Sequence, residues 1–107
     1  MKYHHEFEWD GKKAEANRRK HGVTFDLASE VLGDNEADRY HVDEYDDEHS
    51  RTEDRSITIG SHPDERRAVL TIVWVDRSRG TRRITRIISA RQATPTERRK
   101  HAEKQGG

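Results

Sequence analysis

The sequence predicts an α+β fold, and three observations predict it. Its first third carries two helical patterns joined at a glycine; residues 55–91 carry three runs rich in Ile, Val and Thr; and Thr94-Pro95-Thr96-Glu97 is a concentrated helix start. The expected order is a short N-terminal strand, a helical hairpin, a three-stranded antiparallel meander and a C-terminal helix. The 107 residues fit one domain, 1–107, because independent domains run from about 50 to 250 residues.

Tyr3, His5, Phe7 and Trp9 alternate with His4, Glu6 and Glu8, a period of two that marks a strand with one apolar face. Asp10 stands where an N-cap belongs, its carboxylate facing the first free amides of a helix that runs to His21 and stops at Gly22. Apart from its alanines that helix is polar, so it belongs on the surface. Thr24 caps a second helix, in which Phe25, Ala28, Val31 and Leu32 form one narrow apolar stripe; Val23 and Ala28 are placed for a hydrophobic staple, and Gly33 ends it. In the segment 34–54, Tyr40, Val42 and Tyr45 fit a marginal edge strand and the remainder reads as solvated loop. Strands are expected at 55–60, where Ile57 and Ile59 alternate with polar residues, at 68–75, apolar on both faces and therefore central, and at 83–91. Ser61-His62-Pro63-Asp64 and Arg77-Ser78-Arg79-Gly80 supply the hairpin turns. Thr94 as N-cap, Pro95 as first helical residue and Glu97 three positions after the cap define the last helix, through Lys104.

Composition removes several classes of function. Without cysteine there is no disulfide framework, thiol nucleophile, iron–sulfur cluster or cysteine-based zinc site, and a reducing, cytoplasmic setting is the expectation. Met1 to Glu6 lead into no apolar run, and the longest apolar stretch, 69–75, is broken by Thr71, so neither secretion nor membrane spanning is expected. Leu, Ile, Val and Phe number 17 of 107 while 39% of residues are charged, which approaches a disordered composition; the balance of 21 basic and 21 acidic residues argues the other way. That balance hides a strong asymmetry. Residues 33–54 hold ten acidic and two basic residues, whereas 77–107 hold ten basic and two acidic. The last third is thus a candidate anion-binding surface. His41, Asp43 and the run Asp46-Asp47-Glu48-His49 lack the ligand ladder of a calcium loop and the rigid spacing of a zinc site, so no metal or other cofactor is expected.

Phe7-Glu8-Trp9-Asp10, Lys13, Asn17, Lys20-His21-Gly22-Val23-Thr24-Phe25, Ala28, Val31, Arg55 ahead of Ile59-Gly60, and Arg86 to Thr94 with Glu97 form an ordered set. This set resembles the BrnT family of bacterial toxins over most of the chain. The resemblance implies a RelE-like fold and a ribonuclease toxin of a type II toxin–antitoxin system. It implies an RNA substrate and a BrnA-like antitoxin with a ribbon-helix-helix DNA-binding segment, two copies of each chain in the complex, and DNA contact only through the antitoxin. The chain departs from the family's pattern at His101, where a Tyr is usual, and at Asp54, where a Glu is usual.

RNA is cut without a metal when its 2′-hydroxyl attacks the adjacent phosphate, a base takes the proton, an acid protonates the leaving oxygen and fixed cations hold the phosphorane charge. In the last strand, strict alternation puts Arg83, Thr85, Ile87, Ser89 and Arg91 on one face and Arg82, Ile84, Arg86, Ile88 and Ala90 on the other. The second set is the more apolar, so Arg86 is expected part-buried and in need of an anion, with Glu97 or an acidic loop residue as its structural partner; Arg83, Ser89 and Arg91 are expected exposed. The resemblance places both Arg86 and Arg91 in its strongest motif, and which of them meets phosphate stays open. His21 ends a helix, where the dipole favours a protonated imidazole, as general acid, as charge clamp with Lys20, or simply as a favourable helix end. The candidate catalytic set is Lys20, His21, Arg55, Arg86 and Arg91; the candidate RNA-binding set is Arg82, Arg83, Ser89, Arg98 and Arg99. Asp54, His49 and His101 are further acid–base candidates on positions expected to be exposed. The alternative is a module that binds nucleic acid or protein through the same basic third without catalysis.

Overall fold

The computed structural model describes residues 5–33, 42–45, 55–62 and 69–106. The elements are β1 (His5–Glu8), α1 (Gly11–His21), α2 (Phe25–Gly33), β2 (Val42–Tyr45), β3 (Ser56–Ser61), β4 (Val69–Asp76), β5 (Arg83–Gln92) and α3 (Pro95–Gly106). The strands form one sheet in the order β1-β5-β4-β3-β2. The expected meander is β3, β4 and β5, all antiparallel, with the apolar β4 in the centre. Two outer strands extend it. β2, the expected edge strand, pairs antiparallel with β3, and β1 pairs parallel with β5, a connection that needs a long crossover and has one in the chain between them.

The local signals act as their chemistry dictates. Asp10 Oδ1 accepts from the amides of Lys12 and Lys13 at 2.8 and 3.2 Å, opening α1. Gly22 closes it in the left-handed conformation, φ 71°, with its amide donating to the Arg18 carbonyl at 2.8 Å. Thr24 Oγ1 accepts from the Leu27 amide at 3.1 Å. The β4–β5 hairpin closes through paired backbone bonds between Arg79 and Arg82, with Gly80 at φ 57° in the first loop position, where two-residue hairpins favour glycine.

The core lies between one face of the sheet and the helical hairpin. Val23, Phe25, Ala28, Val31 and Leu32 pack against Leu70, Ile72, Ile87 and Ala90, with Phe7, Trp9 and Trp74 at the margins. As its polarity requires, α1 touches this core lightly: Asn17 is its one buried residue. Asn17 Nδ2 donates to the carbonyls of Val23 and Ala90 at 3.0 and 2.8 Å, and its Oδ1 accepts from the Ala90 amide at 3.2 Å. One side chain thus ties α1 to the interhelical turn and to β5. On the opposite face Ile59 and Val69 pack with Ala93, and α3 lies over β3 and β2.

Strict alternation fails along β5. Val73 pairs with Ser89 but Trp74 pairs with Ile87, so Ile88 has no counterpart on β4. This β-bulge inserts one residue and inverts the faces after it. Ile87 and Ala90, three apart, both point into the core, and the expected division of the strand into two alternating sets is corrected accordingly.

Most of the acidic segment lies outside the described residues, including His41, Asp46 to His49 and Asp54; so do Tyr3 and His4 and the turn residues Pro63 and Asp64.

Candidate functional site

The bulge decides which side chains share a surface. Cross-strand partners point to the same face, so Val75 with Arg86, Val73 with Ser89, and Thr71 with Arg91 all belong to the face opposite α1 and α2. Ile57 joins the Val73 row and Ile59 the Thr71 row from β3, and Glu8 joins the Arg86 row from β1. Continuing β3 back by one residue sets Arg55 beside Val75. The result is a row Arg55, Val75, Arg86, Glu8 at one end and a row Ile59, Thr71, Arg91 at the other. Strand spacings put Arg55 and Arg86 about 10 Å apart along the first row, and the two rows about 14 Å apart, measured between backbones. Ile57, Val73 and Ser89 between them are half-buried. This face combines fixed cations with a partly apolar floor.

Arg86 and Arg91 therefore share one face, with the Ser89 row between them, and are not members of opposite faces. Arg83 is corrected in the same way: it pairs with His5 on the helix side of β5 and does not belong with Ser89 and Arg91. The expected Glu97 partner also changes hands. Arg91 Nη1 and Nη2 donate to Glu97 Oε1 and Oε2 at 2.7 and 2.9 Å, while Arg86 Nη1 donates to Glu8 Oε2 at 2.8 Å. Arg82 donates through Nε and Nη2 to both oxygens of Glu6, at 2.8 and 2.9 Å.

The two arginines differ in how they are held. Glu97 closes the α3 capping box, accepting from the Thr94 amide at 2.8 Å while its own amide donates to Thr94 Oγ1, and it also accepts from Thr71 Oγ1 at 2.9 Å. The Arg91 guanidinium and these donors hold its carboxyl down to about 2, against burial, which acts the other way. Arg91 is thereby locked to a rigid helix end. Arg86 has one bond to an edge-strand carboxylate that is itself 44% exposed.

The remaining candidates are dispersed. Lys20, exposed, and His21, half-buried, end α1 on the other side of the sheet. Arg98 and Arg99 are exposed on α3. His101 is 4% exposed, which corrects the expectation of a solvated helix position. His49 and Asp54 lie outside the described residues. The pattern of residues gave no role to Glu8, Glu6, Thr71 or Asn17. The one signal for Glu8 was its place in the polar alternation of β1 and in the Phe7-Glu8-Trp9-Asp10 group. Among the described residues no cluster of three or more His, Asp or Glu side chains is placed to hold a metal, and no helix is long and apolar enough to cross a membrane.

Fold and face together define a small α+β protein whose sheet presents anchored arginines on the side away from its helical hairpin, a surface suited to an anionic ligand. The family model described as ribonuclease toxin, BrnT, of type II toxin-antitoxin system matches residues 9–97. The chain belongs to that family: it is a toxin of the ribonuclease class, with RNA as substrate and an antitoxin protein as partner. No curated protein matches it significantly.

Proposed function

We propose that the chain is an endoribonuclease that cuts messenger RNA in the cytoplasm without a metal, through attack of the 2′-hydroxyl on the adjacent phosphate. The observation that carries this reading is the bulge at Ile88, which sets Arg86, Ser89 and Arg91 on one face; Arg55 immediately precedes β3 at the Arg86 end of the sheet. Preorganised guanidinium groups supply the positive charge that a phosphorane demands, and supply it before reaction, so no reorganisation is needed at the transition state. Arg86 and Arg91 are assigned to the reacting phosphate, Arg55 and Ser89 to its neighbours, and Arg82, Arg98 and Arg99 to flanking RNA. Lys20 and His21 end α1, which packs on the other face of β5, and are given no contact with the reacting phosphate in this reading.

The partner is proposed to be a BrnA-like ribbon-helix-helix antitoxin that covers this face, in an assembly with two copies of each chain that binds DNA through the antitoxin. Support comes from the family's type II character and from the basic residues the described face exposes. The test is incubation of antitoxin-free protein with a mixed-sequence transcript in EDTA. Cleavage leaving 2′,3′-cyclic phosphate ends is expected, with at least about 100-fold loss in Arg86→Ala and little loss in His21→Ala. A gel shift with intact RNA would establish a binding module instead.

A further inference from the structure

The proposed reaction needs a group to take the 2′-hydroxyl proton, and the arginines of the second face cannot supply it, since a guanidinium stays protonated. Most acid–base candidates are badly placed or already engaged. His21 lies across the sheet, and His101 is buried on α3. Glu97 has both oxygens engaged by Arg91 and is further fixed by Thr71 and the Thr94 amide. Glu6 gives both oxygens to Arg82.

Glu8 differs from all of these. It lies directly across from Arg86 on the outer strand of the sheet, on the face that carries Ser89 and Arg91. Its Oε2 accepts a single bond from Arg86 Nη1 at 2.8 Å, its Oε1 has no partner among the described residues, and its side chain is 44% exposed. The carboxylate is held beside the arginine assigned to phosphate, yet one oxygen remains open to solvent. A base for this reaction must sit there, because the 2′-oxygen and the phosphorus it attacks belong to one nucleotide step.

We infer that Glu8 is the general base of this enzyme, a catalytic role that rests on the ribonuclease reading above. Glu8 Oε1 takes the 2′-hydroxyl proton as the 2′-oxygen bonds to phosphorus; the bond from phosphorus to the 5′-oxygen breaks, and that oxygen takes a proton from water. The products are a 2′,3′-cyclic phosphate and a 5′-hydroxyl end, and Glu8 returns its proton to solvent. The Arg86 bond to Oε2 both aims the carboxylate and links it to the phosphate's cation, so base and electrostatic clamp form one unit.

The experiment compares wild-type full-length protein, Glu8→Gln and Glu8→Asp. Single-turnover cleavage of a mixed-sequence transcript is followed across pH, and affinity is measured on the same sequence with 2′-O-methyl groups, which cannot react. Glu8→Gln should slow cleavage by about 100-fold or more and abolish the acid limb of the pH profile, with affinity within about threefold of wild type; Glu8→Asp should restore part of the rate and the acid limb. Glutamine keeps an acceptor for Arg86, and thermal melting of each variant reports whether the fold is kept. If Glu8→Gln loses the fold, the Glu8→Asp profile decides: an acid limb identical in position and height to wild type overturns the assignment. A Glu8→Gln protein that cuts at near wild-type rate with an unchanged pH profile also overturns it, as does a rate loss matched by an equal loss of affinity. If wild type does not cut, the ribonuclease reading falls together with this one; if wild type cuts and the variants behave alike, only the role of Glu8 falls.

Discussion

Glu97 receives four hydrogen bonds, from Thr71, the Thr94 amide and two nitrogens of Arg91, and so joins the start of α3 to the end of β5. Because its carboxyl is held at about 2 in the fold, against an ordinary 4.5, it contributes stability that is complete above pH 4.5 and is lost as pH falls toward 2. Urea midpoints should decline across that window, and Glu97→Gln should flatten the decline while costing about 2 kcal/mol at neutral pH. His5 makes a second, separate contribution. Burial, and then Arg83, hold its imidazole below 6.5, with Asp76 opposing. The unfolded chain therefore binds the proton more readily, and stability should fall as pH drops through 6.5, a limb that His5→Phe removes. Asn17 tests a buried polar tie: Asn17→Ala leaves the Val23 and Ala90 groups without its bonds and should cost about 3 kcal/mol by urea unfolding, and Asn17→Asp more, since it turns a carboxylate toward two carbonyls. Of these partners only Thr94, in the capping box with Glu97, was legible in the sequence. Asn17 and Glu97 were visible as a helical residue and a capping-box residue, but their far partners, Ala90 and Arg91, are chosen by which strands become neighbours.

At the scale of elements, local chemistry left clear marks. Asp10, Gly22, Thr24 and Thr94 act through contacts within six residues, and each stands where the helix boundary was expected. Gly22→Ala forces a side chain into the left-handed region and should lower stability by about 1 kcal/mol, read from the thermal midpoint. The bulge is different in kind. Nothing in Arg86-Ile87-Ile88-Ser89 distinguishes a regular strand from one with an extra residue, because the surplus exists only relative to β4. Deleting Ile88 should therefore leave the faces as they are, because Ile87, Ser89, Ala90 and Arg91 then alternate regularly opposite Trp74, Val73, Ile72 and Thr71, and urea unfolding should stay cooperative. Ile88→Ala, at a half-buried site, should cost about 1 kcal/mol.

For the whole molecule the decisive quantity is where charge of each sign ends up. The last 31 residues hold ten basic side chains, and the fold distributes them among the two faces of β5, the β4–β5 hairpin and α3, with Arg86 and Arg91 on the second face. RNA held there should bind with an affinity that falls steeply with salt, and each of Arg86→Ala and Arg98→Ala should lower the slope of log affinity against log salt by about 0.7, measured on 2′-O-methyl RNA. Association with the antitoxin should slow over the same salt range if its acidic groups meet this face. The sequence by itself determined the α+β class, the helix ends, the apolar β4 and the basic last third, since each follows from propensity, capping or composition within a short window. Only the tertiary structure decided that β1 runs parallel beside β5, that Ile88 is surplus, and that Arg86, Ser89 and Arg91 look the same way with Glu8 beside Arg86. Those facts depend on strand neighbours as many as 78 residues apart, and pairing across such a distance is settled by packing the whole core at once.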